Sequence, residues 1–323
     1  MSSILQSTKL FGRSYKLTLS FLSPAQQESN VIAVFVGSTA SAAQAYDVST
    51  HDIEFVVEKS LKPGEPNTCS IKVFNLSATQ RQNLSGFNVY NPGSPTTGMT
   101  VLLEAGYQQQ TSQIYFAGAR GAWSTRAGAD YVTHIESMDT IARPTGLKET
   151  KKIPPGGPPT GSIYHTTGAR IPLSDALTAL SEAMGFKAGD LSKALATPAA
   201  AIFSVNGSAL VGNSARRITD ICRSAGLEWS VQDGIVQFLN IGKALSETNA
   251  IKLDSTCGLI GSPNVDSQGA LEITTLLIPG LAPGVLISVD SEFVKGGYRI
   301  EKIRYEGNTR GQAWYAHIAA SKY

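Results

Sequence analysis

The residues able to do chemistry in this chain are few and scattered. Its four histidines, His51, His134, His165 and His317, stand alone. None is part of an HExxH helix or has a second ligand at helical or strand spacing, so no metal site is expected. The three cysteines, Cys69, Cys222 and Cys257, are odd in number and far apart, without CxxC spacing. That speaks against a disulfide framework or a zinc site and for reduced, buried thiols. Asp52, Glu54 and Glu58 form the one acidic cluster of interest. A glycan hydrolase needs two carboxylates about 5–10 Å apart with one in an apolar pocket. These three alternate with apolar residues, which is the pattern of a solvated strand face. No GxSxG elbow or GxxxxGK[ST] phosphate loop occurs, and Gly118-Ala-Arg-Gly121 lies in a β context without the helix that a phosphate site requires. A tight strand turn is the simpler reading of those glycines. Trp123, Trp229 and Trp314 fall in separate segments, so core packing is expected of them rather than a sugar-stacking platform. Arg216-Arg217 lies on the polar side of a helical stretch, as a solvated pair or a subunit contact. The sequence thus nominates no catalytic, cofactor-binding or metal-ligating residue, and the expectation is a protein that is not an enzyme and needs no cofactor.

The composition narrows the classes further. Over 323 residues, two or three domains with their own cores are expected. Apolar residues make up 42%, but charged residues only 16%, against about 25% in typical globular chains. An uncharged polar surface suits burial against partner subunits, and equally an ordinary Ser/Thr/Gly-rich β-surface. A net charge of +2 without a dense basic run lacks the footprint of a dedicated nucleic-acid binder. Met1 to Leu10 lacks the pattern of a secretion signal. The longest clean apolar run, Val31 to Val36, has strand length, so no membrane span is expected, and synthesis and assembly in the cytoplasm follow as expectations.

The elements that must position these residues are mostly strands. Tyr15, Leu17, Leu19 and Phe21 alternate with polar neighbours, as do Ile53, Phe55 and Val57. Further strand-length runs lie at Cys69 to Phe74, Met99 to Ala105, Gln113 to Gly118 and Tyr131 to Met138. Ser77 and Gln80 make a capping box for one short helix, with Leu76 and Leu84 packed inward at its ends. Gly37 to Gln44 reads as a loop insertion. From Pro144 to Pro172 the chain turns Pro/Gly-rich and reads as a linker or an extended arm. Two helices follow. In the first, Leu173, Leu177, Leu180 and Met184 lie behind Ser174 as candidate N-cap and stop at Gly185. The second, about Ser214 to Ala225, buries Ile218, Ile221, Cys222 and Ala225 and stops at Gly226. Asp233-Gly234 between two apolar runs predicts a hairpin. Four more strands are predicted at Leu271 to Ile278, Val285 to Val289, Tyr298 to Glu306 and Ala313 to Ala319. The expected fold class is mainly β with a small α+β module: a first β-barrel over 1–145, a linker or arm over 146–170, the α+β module over 171–245 and a second β-barrel over 246–323.

A resemblance adds to this reading. Gly258-Leu-Ile-Gly261-Ser-Pro263, the Pro279 and Pro283-Gly284 turn, Tyr298-Arg-Ile-Glu-Lys-Ile303 and Gly307-Asn-Thr-Arg-Gly311-Gln-Ala-Trp314 occur in an order that resembles the baseplate hub proteins of long-tailed bacteriophages. Val73-Phe-Asn75-Leu-Ser77, Leu103-Glu-Ala-Gly106-Tyr107 and Ile114-Tyr-Phe116-Ala-Gly118 look like the first barrel of the same hubs. Gly226-Leu-Glu-Trp229 with Asp233-Gly234 looks like their small α/β module. The Pro-rich arm and the Gly37 to Gln44 insertion are not covered. The resemblance implies a structural protein of the virion tail baseplate. It implies a homotrimer whose six barrels ring the channel under a hexameric tail tube, with threefold-to-sixfold matching by internal duplication. Implied partners are the tail tube protein, the central spike protein, the tape-measure protein and neighbouring baseplate proteins. The resemblance also implies no membrane insertion, and DNA only as passing cargo during genome ejection. The competing expectations are a tail-associated cell-wall glycan hydrolase using Glu54 and Glu58, and a carbohydrate-binding tail-tip protein.

Overall fold

Alternating burial builds the strands of the first segment. The computed structural model describes residues 12–21, 44–85, 99–107, 110–139, 171–196, 204–205, 214–267 and 269–323. The Val31 to Val36 run, residues 37–43 of the expected insertion, His165 and residues 144–170 of the Pro-rich stretch lie outside them. Strand β1 (Arg13–Phe21) buries Leu17, Leu19 and Phe21 and half-buries Tyr15. Then come β2 (Gln44–Asp47), β3 (Ile53–Ser60) and β4 (Thr68–Phe74), the last two burying Ile53, Phe55, Val57, Cys69, Ile71 and Val73. Helix α1 (Ala78–Leu84) carries the predicted reciprocal capping box, with Leu76 and Leu84 fully buried. The segment ends with β5 (Met99–Tyr107), β6 (Gln110–Ala127) and β7 (Asp130–Met138). Gly118-Ala-Arg-Gly121 is not the predicted turn. Strand β6 runs through it for 18 residues, pairing with β5 up to Gly118 and with β7 from Ala119. A register shift between Ala119 and Gly121 marks a bulge, which bends one strand enough to serve two neighbours.

The closing segment contains β13 (Ile251–Leu253), β14 (Leu259–Val265), β15 (Leu271–Leu276), β16 (Leu286–Asp290), β17 (Lys295–Asn308) and β18 (Trp314–Lys322). Four were predicted within a few residues, and β13 and β14 are additional. Strand β14 tolerates Pro263 because it lies at the sheet edge beside a register shift. The two β-segments are hydrogen-bonded to each other. Lys302 to Asn308 of β17 pair antiparallel with Glu54 to Ser60 of β3, which joins 13 strands into one sheet. One apolar core follows, from Leu17 through Phe55 and Tyr305 to Ala320.

Between the two segments sits the α+β module. Strand β8 (Ile171–Pro172) pairs with β10 (Ser204–Val205), and β9 (Lys187–Ala188), β11 (Leu227–Gln232) and β12 (Ile235–Asn240) form a three-stranded sheet. Helices α2 (Leu173–Ala183) and α3 (Ser214–Ala225) cover it, and the module has a separate core that includes Leu177, Ile218, Trp229 and Phe238. Ser174 does not cap α2. The helix begins two residues earlier, with Pro172 at the N-cap position, so Ser174 lies inside the first turn and its hydroxyl donates to Asp175. Gly185 and Gly226 end the helices with positive φ, and Asp233-Gly234 turns the hairpin with φ of 52° and 81°.

Candidate functional site

Each acidic residue of the candidate catalytic cluster is neutralised by its own basic partner. Glu54 pairs with Lys72 at 2.9 Å, Glu58 with Arg304 at 3.5 Å and Asp52 with Arg310 at 2.9 Å. Four residues along a strand separate Glu54 from Glu58 by about 13 Å, beyond the span a glycosidase pair uses. Among the described residues, no group of three or more His, Cys, Asp or Glu could hold a metal ion. His134 stacks on Trp123 with centroids 5.2 Å apart, and His317 lies 3.8 Å from Glu306. Trp229 and Trp314 are core residues, but Trp123 is 44% exposed, because β6 and β7 turn that face to solvent. Cys69 and Cys222 are buried free thiols, whereas Cys257 is only half-buried. Burial pushes the Cys69 thiol well above its ordinary value and that of Cys222 up to about 12, so both are inert.

The polar side chains converge instead at joints between segments. The first joint is the loop after β17. The Arg310 guanidinium donates to Asp52 and, at 2.5 Å, to Asp130, and lies 4.2 Å over the Phe74 ring. The Thr309 hydroxyl accepts from the Ile53 amide at 2.9 Å. Arg13 donates from the other side to the carbonyls of Gly311 at 2.7 Å and Gln312 at 2.8 Å. Trp314 then enters the core edge-on to Phe55, and its indole N–H donates to the Gly106 carbonyl at 2.9 Å. The motif Gly307 to Trp314 is therefore a clamp that fastens the closing segment onto β1, β3, β5 and β7.

The second joint receives the β11–β12 hairpin. Lys59, 3% exposed, donates to Asp233 at 2.7 Å, and Asp233 also accepts the Phe116 amide at 3.0 Å. The Asn67 side-chain amide donates to the Val231 carbonyl at 2.7 Å, and that of Gln232 donates to the Ser60 carbonyl at 2.7 Å. Asp139 Oδ1 accepts the Asn67 amide at 2.9 Å, while its Oδ2 is buried without a partner. Burial pushes the Asp139 carboxyl up to about 7. A third joint sets buried Arg299 between Glu228 of β11 and Glu301 of β17, and it also donates to the Lys243 carbonyl at 3.0 Å. Burial raises the Glu228 carboxyl, and its bond to Arg299 opposes the rise.

None of these residues was nominated from sequence as part of a joint. One signal was available: Lys59 continues the inward phase Ile53, Phe55, Val57, and Asp139 continues Thr133, Ile135, Ser137. A charge at an inward-phase strand end needs a partner from another element.

No family model matches the sequence, and no curated protein does. The fold has counterparts among solved structures. The 43 kDa tail protein of prophage MuSo2 from Shewanella oneidensis aligns with a TM-score of 0.53 at 9% identity, over 96% of this chain and 98% of that one. A tail protein from Neisseria meningitidis MC58 aligns with a TM-score of 0.53 at 11% identity, over 97% of each chain. At such identity the likeness establishes a shared fold: mainly β with a few helices, end to end.

Proposed function

We propose that this chain is a structural subunit of a phage-type tail, and more specifically a baseplate hub. In this reading it forms a homotrimeric ring that joins a hexameric tail tube to the central spike and surrounds the channel. The observation that carries the proposal is the end-to-end fold likeness to two tail proteins. The joints support it, since their ion pairs fasten three segments together instead of building a reactive site. The order of motifs in both β-segments supports the hub position within a tail. The ring would sit in the virion baseplate, contacting tube, spike, tape-measure and neighbouring baseplate proteins. No helix among the described residues is long and apolar enough to cross a membrane.

The test is the mass of the purified chain by light scattering, together with its copy number and position in an image of isolated tails. A mass of three 34.2 kDa copies and a ring between tube and spike are expected. A chain that stays monomeric and is missing from tail particles would refute the proposal.

A further inference from the structure

The second joint has an unusual charge inventory for a docking surface. Two carboxylates, Asp233 and Asp139, share a single ammonium, Lys59, and Asp233 already holds it at 2.7 Å. Asp139 receives one backbone N–H on Oδ1 and nothing on Oδ2, while being 3% exposed. The other titratable groups around the cluster include Tyr115 of β6, whose hydroxyl donates to Ser137 at 3.0 Å, Cys69 and Glu136 behind it, and buried Tyr305 of β17, which feels the Asp233 charge. The side chains of Asn67 and Gln232 that complete the joint are neutral. The cation that acts on Asp139 is Lys59, which Asp233 already holds at 2.7 Å, so an ionised Asp139 is a buried charge without its own counter-ion.

The module has its own core and touches this joint through the tip of one hairpin. Docking of that tip and ionisation of Asp139 therefore oppose each other. We propose that the joint between the α+β module and the large sheet is a pH-sensitive latch, closed most tightly while Asp139 carries a proton and loosened when it ionises. This holds whether or not the chain is a tail hub.

The sign follows from proton uptake. Burial raises the Asp139 carboxyl to about 7, and the Asp233 carboxylate brought by the module adds to the rise, so the docked state binds more protons than the undocked one. The carboxyl's contribution is fullest below the ordinary value and is lost as pH rises to the raised one. Between pH ~5.5 and ~8.5 the docking constant should fall, by about 30-fold at most, the value reached when docking contributes the whole rise. Hydrogen exchange of the full-length chain reads this directly, because the Phe116 amide donates across the joint to Asp233 of the module. After correction for intrinsic rates, the Phe116 amide should lose up to about 30-fold protection over that range, while amides inside α3 do not. Asp139→Asn should abolish the slope. A flat wild-type profile, or an unchanged slope in Asp139→Asn, would overturn the latch. A carboxyl NMR titration of the wild type serves if the variant does not fold: Asp139 titrating in the ordinary carboxylate range would overturn it equally.

Discussion

Lys59 is a buried charge, 3% exposed, that ties three elements together. Its ammonium bonds Asp233 and, at 3.3 Å, the Ile114 carbonyl, so it ties β3, β6 and the module hairpin at one point. Removing one member of a buried pair costs more than the pair contributes, because the survivor is left charged and desolvated. Lys59→Met should lower stability by about 3–5 kcal/mol in urea unfolding. The double substitution Lys59→Met with Asp233→Asn should recover part of that loss, since the asparagine amide keeps an oxygen for the Phe116 N–H. A loss below about 1 kcal/mol would instead mark the pair as a hydrated surface contact. Local signals at this scale were readable from sequence. The Ser77 and Gln80 box and the Asp233-Gly234 turn each rest on neighbours within four residues, and both appear as predicted. The role of Lys59 was not readable, because its partner lies 174 positions away.

Among the elements, β17 decides how the segments combine. Its inward phase runs Ile303, Tyr305, Gly307, and Gly307 stands opposite Phe55 of β3. The Phe55 ring fills the place a side chain would take: a Cβ on Gly307 would overlap its Cε1 and Cζ. Gly307→Ala should therefore cost about 1–3 kcal/mol by overpacking, read as a lower thermal midpoint. Phe55→Leu in the same chain should offset part of it, and an unchanged midpoint in the single variant would show that the seam has slack. Alternation made β3 and β17 recognisable one at a time, and the Gly/Pro turns bounded them. Their pairing was not legible, because periodicity fixes which side chains of a strand face inward and says nothing about which strand lies alongside. For the same reason the glycines at 118 and 121 read as a turn: a bulge between two partners and a turn between two strands share one local composition.

For the whole molecule, two cores imply two kinds of independence. The module's core closes on itself between Leu173 and Phe238, whereas the core of the β-segments draws on both ends of the chain. A fragment spanning 171–245 should fold alone, with the circular dichroism of mixed helix and strand and a dispersed NMR spectrum, although at that size its stability is marginal. A fragment spanning 246–323 should not. Without β3, the β17 edge over Lys302 to Asn308 loses every partner on one side, and Tyr305, Trp314 and Ile303 lose the Phe55 side of their core. Such an unpaired strand edge beside exposed aromatics is a template for association. Size-exclusion chromatography should find this fragment aggregated, and co-expression with 1–139 should rescue it as a complex. A well-dispersed monomer from 246–323 alone would mean that the closing segment is a self-sufficient barrel and that the β3–β17 seam is an interface between finished domains.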